Sequence, residues 1–288
     1  MNRRRLLCQA LSTSLLSGLW PGVSLGAERD RQQRLLRFSC TFVNPLEREL
    51  SKQRFFCFLP ADTRAGQRLT DLKISTAFQL HKDAQGHNIL ELSFERFPPL
   101  AQKVVHLSTE VELPLLAGRP LAGVPTGWLG AERFVEVDDP RIQKLAQGLR
   151  RSNERKTAKA IYEWVRDNLE YAGYLAEDLG ALHALSTGKG DCTEYAALVV
   201  ALARALGMPA RMLGGYVVDR DIVIRPQDFH NWAELYFEEA WQLADAQKAN
   251  WLQAPEQYVV FRIYGADSGG RLDGVHRYRM DGELNVLL

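Results

Sequence analysis

Residues 190–216 read GDCTEYAALVVALARALGMPARMLGGY, and this stretch organises the rest of the chain. Asp191 is a helix-capping residue type, and Cys192 enters the first turn behind it. Unpaired backbone N–H groups and the positive end of the dipole there favour a thiolate over a thiol. The helix runs on through Tyr195, Leu198, Val199, Leu202, Ala203 and Leu206, apolar almost all round, and stops at Gly207 and Pro209. A helix of that pattern is central and buried. Taken alone, Cys192 reads as a small core residue, as most lone cysteines in globular domains are.

Beyond Pro209 the pattern changes to strands at Arg211–Val218, Ile222–Ile224, Trp232–Phe237, Trp241–Leu243 and Tyr258–Tyr264. A tail hairpin is expected around Asp281-Gly282. A reactive thiol needs a base, and the base needs an orienting group. Of six histidines, His230 stands apart because it opens the strand HNWAELYF directly after the turn-like Arg225-Pro226-Gln227-Asp228. Asp245 ends the next strand, 15 residues on, and a turn at Glu238-Glu239-Ala240 makes the two cross-strand neighbours. Trp232, Trp241 and Tyr216 read as core or groove walls, and Glu234 as a structural partner. His81, His87, His106, His183 and His276 share no metal-ligand spacing, and the glycine-rich run Asp267 to Asp273 reads as a solvated turn. No spacing implies a cofactor or a metal.

Toward the N-terminus, Ile142, Leu145, Ala146 and Leu149 form one helical stripe, and Ile161, Trp164, Val165 and Leu169 another, in a helix of about Glu154 to Asn168. Tyr171 to Lys189 reads as a connecting segment, and Gly188-Lys189-Gly190 lacks the glycine spacing of a phosphate loop. Leu35–Val43, Arg54–Leu59, Leu69–Leu80, Ile89–Phe94 and Lys103–Leu113 are short β-rich runs separated by turn signals, the pattern of a β-sandwich. Pro114 to Gly130, rich in proline and glycine, reads as a linker.

The chain opens with Arg3, Arg4 and Arg5, then a weakly apolar run from Leu6 to Leu25, then Gly26 and Ala27. This reads as an export signal of twin-arginine or general secretory type, cleaved after Gly26 or Ala27, and implies a periplasmic protein. Its serines, glycines and proline dilute it too far for a membrane span. Losing residues 1–27 removes three arginines and no acid, which takes the formal net charge from +1 to −2. With no basic patch, nucleic acid is not an expected partner. Cys40 and Cys57 lie in β-like runs flanking Asn44-Pro45. They are expected to face each other as a disulfide that leaves Cys192 free.

In combination these features resemble the transglutaminase-like superfamily of cysteine enzymes. The resemblance rests on Gly190-Asp191-Cys192 at a helix start, Gly207-Met208-Pro209, Gly215-Tyr216, His230-Asn231-Trp232-Ala233-Glu234, and Trp241 to Asp245. It covers roughly residues 140–250, with Asn231 where the family often has Ala and Ala246 where Pro is common. It implies an α+β, papain-like domain over about 138–288, behind a signal (1–27), a β-sandwich-like domain (28–113) and a linker (114–137). It further implies Cys192 as nucleophile, His230 as base and Asp245 as the group orienting the imidazole. The expected reaction is cleavage or transfer of the acyl group of peptide or isopeptide amides through a thioester, most simply as a peptidase or amidase. Protein-glutamine transamidation is the alternative reaction. The alternative of another class is a catalytically silent peptide-binding or assembly module.

Overall fold

The computed structural model describes residues 31–63, 66–114, 123–175, 177–265, 272 and 277–288. The expected export signal, part of the 114–130 linker and most of the 267–273 turn lie outside the described residues.

Residues 31–114 form two facing sheets. β1 (Arg31–Val43) pairs along its length with β6 (Gln102–Pro114), and β3 (Arg68–Ile74) adds to the other edge of β6. The second sheet has β5 (Asn88–Phe97) between β2 (Leu50–Leu59) and β4 (Gln79–Lys82). The single β-run read at Leu69–Leu80 is therefore two strands, one in each sheet. Alternate side chains from both sheets close an apolar interior that includes Phe42, Phe55, Leu92, Phe94 and Val105.

The expected Cys40–Cys57 disulfide is not formed, and Cys40, Cys57 and Cys192 are all free. β1 and β2 do not pair across a hairpin as the spacing suggested. β1 lies in the first sheet and β2 in the second, so the two thiols come from opposite walls of the sandwich. Burial pushes Cys40 up to about 12 and Cys57 well above the usual thiol range, so both stay protonated. The argument that singled out Cys192 as the one unpaired thiol falls with that disulfide.

The rest of the chain wraps a helical layer onto a third sheet. α1 (Pro140–Leu149) and α2 (Glu154–Asn168) each carry a single buried stripe and are capped by the side chains of Asp139 and Asn153. A two-residue parallel pair follows, β7 (Glu170–Tyr171) with β8 (Lys189–Gly190). Between them lies α3 (Gly180–Thr187), in the segment read as a connection, and Gly188 ends it in the left-handed conformation at φ +69°. α4 (Cys192–Ala205) is buried at every position from Thr193 to Arg204, as its sequence demands, and α1, α2 and α3 surround it.

α4 lies on an antiparallel sheet. Its strands are β9 (Ala210–Val217), β11 (His230–Phe237), β12 (Ala240–Asp245), β13 (Asn250–Trp251) and β14 (Tyr258–Ile263), in the order β13-β12-β11-β9-β14. Gly215 is required where β14 crosses β9, because a Cβ there would sit 2.0 Å from the Val259 carbonyl oxygen. β14 accommodates the approach with a bulge between Val260 and Arg262.

The two halves share a core, in which Leu36, Phe56, Phe58 and Val111 of the sandwich meet Tyr216, Val259 and Phe261. β10 (Ile222–Val223) runs parallel to β1 at the same junction. The tail does not fold into the expected hairpin. β15 (Tyr278–Asp281) pairs with β2 and β16 (Asn285–Leu287) pairs with β1, so its two strands end in opposite sheets of the sandwich. No described helix is long and apolar enough to cross a membrane.

Candidate active site

The start of α4 is fixed by a capping box. Asp191 accepts from the Thr193 N–H at 2.7 Å, and Glu194 reaches back to accept from the Asp191 N–H at 3.0 Å. Glu194 is fully buried and also accepts from the Leu179 N–H at 2.8 Å, while Asp191 takes the Leu175 N–H at 3.1 Å. These bonds clamp the loop before α3 onto the first turn of α4. Gly190 is part of the same arrangement, since a Cβ on it would lie 2.4 Å from Glu194 Cβ. Cys192 therefore stands at a rigid helix start, only partly covered by its surroundings.

β11 brings the histidine to that point. Ala233, Leu235 and Phe237 on one face of the strand pack into the core around α4. Asn231 shares that face and donates from Nδ2 to Thr193 Oγ1 at 2.8 Å, while its Oδ1 accepts from the Tyr264 hydroxyl at 3.1 Å. The residue next to His230 thus ties the start of β11 to the start of α4.

On the other face, His230 stacks on Trp232 at a ring separation of 6.2 Å, and its Nε2 lies 2.7 Å from Asp245 Oδ2. The register pairs Ala233 with Ala244, so Asp245 stands opposite Trp232 and meets His230 diagonally. Asp245 also accepts from the Tyr258 hydroxyl at 2.9 Å and the Lys248 N–H at 3.0 Å. Three donors converge on a carboxylate that is 1% exposed, which fixes its rotamer and satisfies its charge. The Tyr258 phenol is itself pushed up by burial and by Asp245, so it remains a donor. Nε2 of His230 carries the proton given to Asp245, which leaves Nδ1 as the unprotonated nitrogen of the neutral ring.

Of the three residues singled out from the sequence, His230 and Asp245 are joined directly. Cys192 opens the first turn of α4, which Asn231, the neighbour of His230, ties to the start of β11 through Thr193, and no hydrogen bond joins Cys192 to His230 among the described residues. Its electrostatic setting differs from the expectation of a dipole-lowered thiol. Burial first, and then Asp191, push the Cys192 thiol up to about 12, against the pull of the Asn231 N–H. Asp245 and Glu194 add to the rise, so a thiolate here needs a positive charge beside it.

Cys192 opens into a groove of about 560 Å³ whose walls include Tyr174, Asp178, Gln227, Phe229 and Tyr278. Tyr174 is 76% exposed, a flat apolar face on the groove's rim. Glu234 is bound to Arg211 at 2.6 Å, the structural role read for it. Tyr258 escaped the sequence reading because its partner lies 13 residues away across a loop, and a lone tyrosine at a strand start carries no signal of that contact. Asn231 was visible as a departure from the family pattern, although its bonds were not. No group of three or more His, Cys, Asp or Glu gathers as a metal site among the described residues.

Residues 143–246 match the family described as the transglutaminase-like superfamily. An uncharacterized protein of Mycobacterium leprae (strain TN) is 27% identical over 173 residues, 54% of this chain and 61% of the relative. The aligned part thus spans under two thirds of that relative's length. The crystal structure of a candidate cysteine protease from Cytophaga hutchinsonii superposes with a TM-score of 0.62 at 20% identity, covering 90% of each chain. That agreement extends across both halves of the fold. The periplasmic domain of TgpA from Pseudomonas aeruginosa, bound to ethylmercury, gives a TM-score of 0.40 at 16% identity, covering 78% of this chain and 94% of that one.

Proposed function

Because residues 143–246 are a domain of the transglutaminase-like superfamily, we propose that the protein is a thiol enzyme of acyl transfer acting on peptide or isopeptide amides. The observation that carries this reading is the buried 2.7 Å His230–Asp245 pair, with His230 on β11, whose next residue, Asn231, bonds Thr193 in the first turn of α4. In the proposed cycle His230 Nδ1 takes the Cys192 proton, and Asp245 stabilises the imidazolium through Nε2. The thiolate attacks the amide carbonyl carbon. The resulting oxyanion is held by the backbone N–H of Cys192, which at the first helical position has no intrahelical acceptor. His230 then protonates the departing amine as the C–N bond breaks and a thioester remains. Water, deprotonated by the same imidazole, attacks the thioester, releasing the acid and restoring the thiol.

Hydrolysis is favoured over transamidation because Cys192 is partly exposed in an open groove, and a thioester there meets water first. Incubation with a glutamine-containing peptide and a primary amine separates the two. Free acid as the dominant product, lost in Cys192→Ala, is expected. A dominant amine adduct would make the protein a transamidase.

The raised Cys192 thiol supports a second reading, a silent peptide-binding module. That reading gains if Cys192→Ala leaves the protein's role in the cell unchanged. We further propose residues 1–27 as an export leader. Protein recovered from the periplasm is then expected to begin at residue 27 or 28, and recovery of the intact N-terminus would exclude that leader.

A further inference from the structure

A second cavity, of about 250 Å³, adjoins the Cys192 groove and shares Pro226, Phe229 and Arg277 with it. It lies where the sandwich meets the third sheet, and its walls are mostly apolar, with Phe38, Phe58, Tyr216 and Phe261 beside the free thiols of Cys40 and Cys57 and the side chain of Arg225. The two spaces meet at Pro226, Phe229 and Arg277. The Phe229 ring stands edge-on to Tyr216 at 5.5 Å, and the Arg277 guanidinium lies 5.6 Å above it. Arg277 in turn donates to the Pro226 carbonyl at 2.6 Å, which fastens β15's end to the short turn before β11. Val223 on β10 also lines the cavity and is 61% exposed, so the space opens to solvent beside it.

An apolar cavity of about 150 Å³ is enough to take up a benzene ring, so this one has room for an aromatic side chain and part of its backbone. An apolar chamber at a domain junction offers dispersion contacts to an entering apolar side chain. We propose that this cavity is the specificity pocket of the Cys192 groove, and that it selects acyl donors with an aromatic or large aliphatic side chain near the scissile carbonyl. The proposal rests on the reading of Cys192 as nucleophile. It assigns the sandwich a role in substrate choice, since Phe38 and Phe58 come from β1 and β2.

The test uses the full chain after its expected leader, with three alkylating reagents. Adducts are read at the Cys192 peptide by mass, since Cys40 and Cys57 are also free, and iodoacetamide there reports thiol reactivity without the pocket. Acyl-phenylalanyl and acyl-glycyl chloromethyl ketones add the pocket's contribution, each forming a C–S bond at the methylene carbon and expelling chloride. Burial of an aromatic side chain predicts labelling of Cys192 about 10- to 100-fold faster by the phenylalanyl reagent than by the glycyl one. Val223→Trp, a substitution at an exposed position that fills the mouth, should bring the ratio near one while leaving the iodoacetamide rate and the melting temperature unchanged. A ratio near one in the parent protein, with iodoacetamide still fast, would overturn the pocket and leave the nucleophile standing. If iodoacetamide fails too, the nucleophile reading is lost and the pocket is judged by binding. N-acetyl-phenylalaninamide, but not N-acetylglycinamide, should then give saturation-transfer NMR signals that Val223→Trp abolishes. Absence of those signals, or their survival in the variant, would remove the pocket.

Discussion

Replacing Asp245 by Asn tests how far the carboxylate, and not merely its shape, supports the histidine. The two side chains meet at 2.7 Å and are 5% and 1% exposed at His230 and Asp245, so the bond is charge-assisted whenever the imidazole is protonated. Hydrogen bonds to charged groups contribute about 1.5–3 kcal/mol, which is roughly 10- to 150-fold in the population of a thiolate–imidazolium pair. The amide has a second effect. Its NH₂, if turned to Nε2, stabilises the tautomer with the proton on Nδ1, the nitrogen that must accept the Cys192 proton. Folding should survive, because the remaining carbonyl oxygen can keep the Lys248 N–H and the Tyr258 hydroxyl can rotate to accept. A loss of about 1–2 kcal/mol is expected. The assay is the second-order rate of iodoacetamide labelling at Cys192, read by peptide mass at pH 7, with a urea melt on the same sample. A rate within twofold of the parent in a folded Asp245→Asn would refute the argument that the carboxylate stabilises the ion pair.

Tyr258→Phe removes one of three donors to Asp245 and should lower the labelling rate at neutral pH several-fold, with the parent rate recovered as the pH rises. Unchanged labelling would mean that Lys248 and His230 suffice to hold the carboxylate. Glu194→Ala leaves the buried N–H of Asp191 and the part-buried N–H of Leu179 without acceptors and is expected to cost about 2–3 kcal/mol in urea unfolding. A smaller loss than about 1 kcal/mol would show that the capping box is dispensable. Arg204→Met at the far end of α4 strips bonds to the Ala210 and Gly130 carbonyls and leaves Glu132 unpaired, a predicted loss of about 3–5 kcal/mol. Calorimetric stability within 1 kcal/mol of the parent would contradict it.

What the sequence revealed depended on how local the cause was. α4 and α2 were legible because their apolar spacing and capping residues lie within the elements themselves, and α2 spans Glu154–Asn168 as read. His230 and Asp245 were legible because a short β-turn fixes their relation across one hairpin. α3 escaped because its first residue has no capping side chain and its stop signal, Gly188, was read as part of a loop. The disulfide expectation failed because nothing within Leu35–Leu59 tells whether two consecutive strands pair or part into facing sheets. The tail strands escaped for the same reason, since β15 and β16 find partners more than 200 residues back along the chain. Tyr258 belongs with them, a residue whose role exists only once β14 and β12 share a sheet.

In the proposed cycle His230 supplies the charge that makes Cys192 a thiolate. Burial and the surrounding carboxylates push the Cys192 thiol up to about 12, so without a cationic partner it stays protonated at pH 7. The decisive measurement is the rate of Cys192 alkylation against pH, in the parent protein and in His230→Ala. Fast labelling of the parent is expected well below pH 8.5, the range of a free thiol. In His230→Ala the rate at pH 7 should fall about 100- to 1,000-fold and recover only as the pH climbs toward the value set by burial. Superimposed profiles, both rising only at high pH, would contradict the ion pair and make the silent binding module the better description of the site.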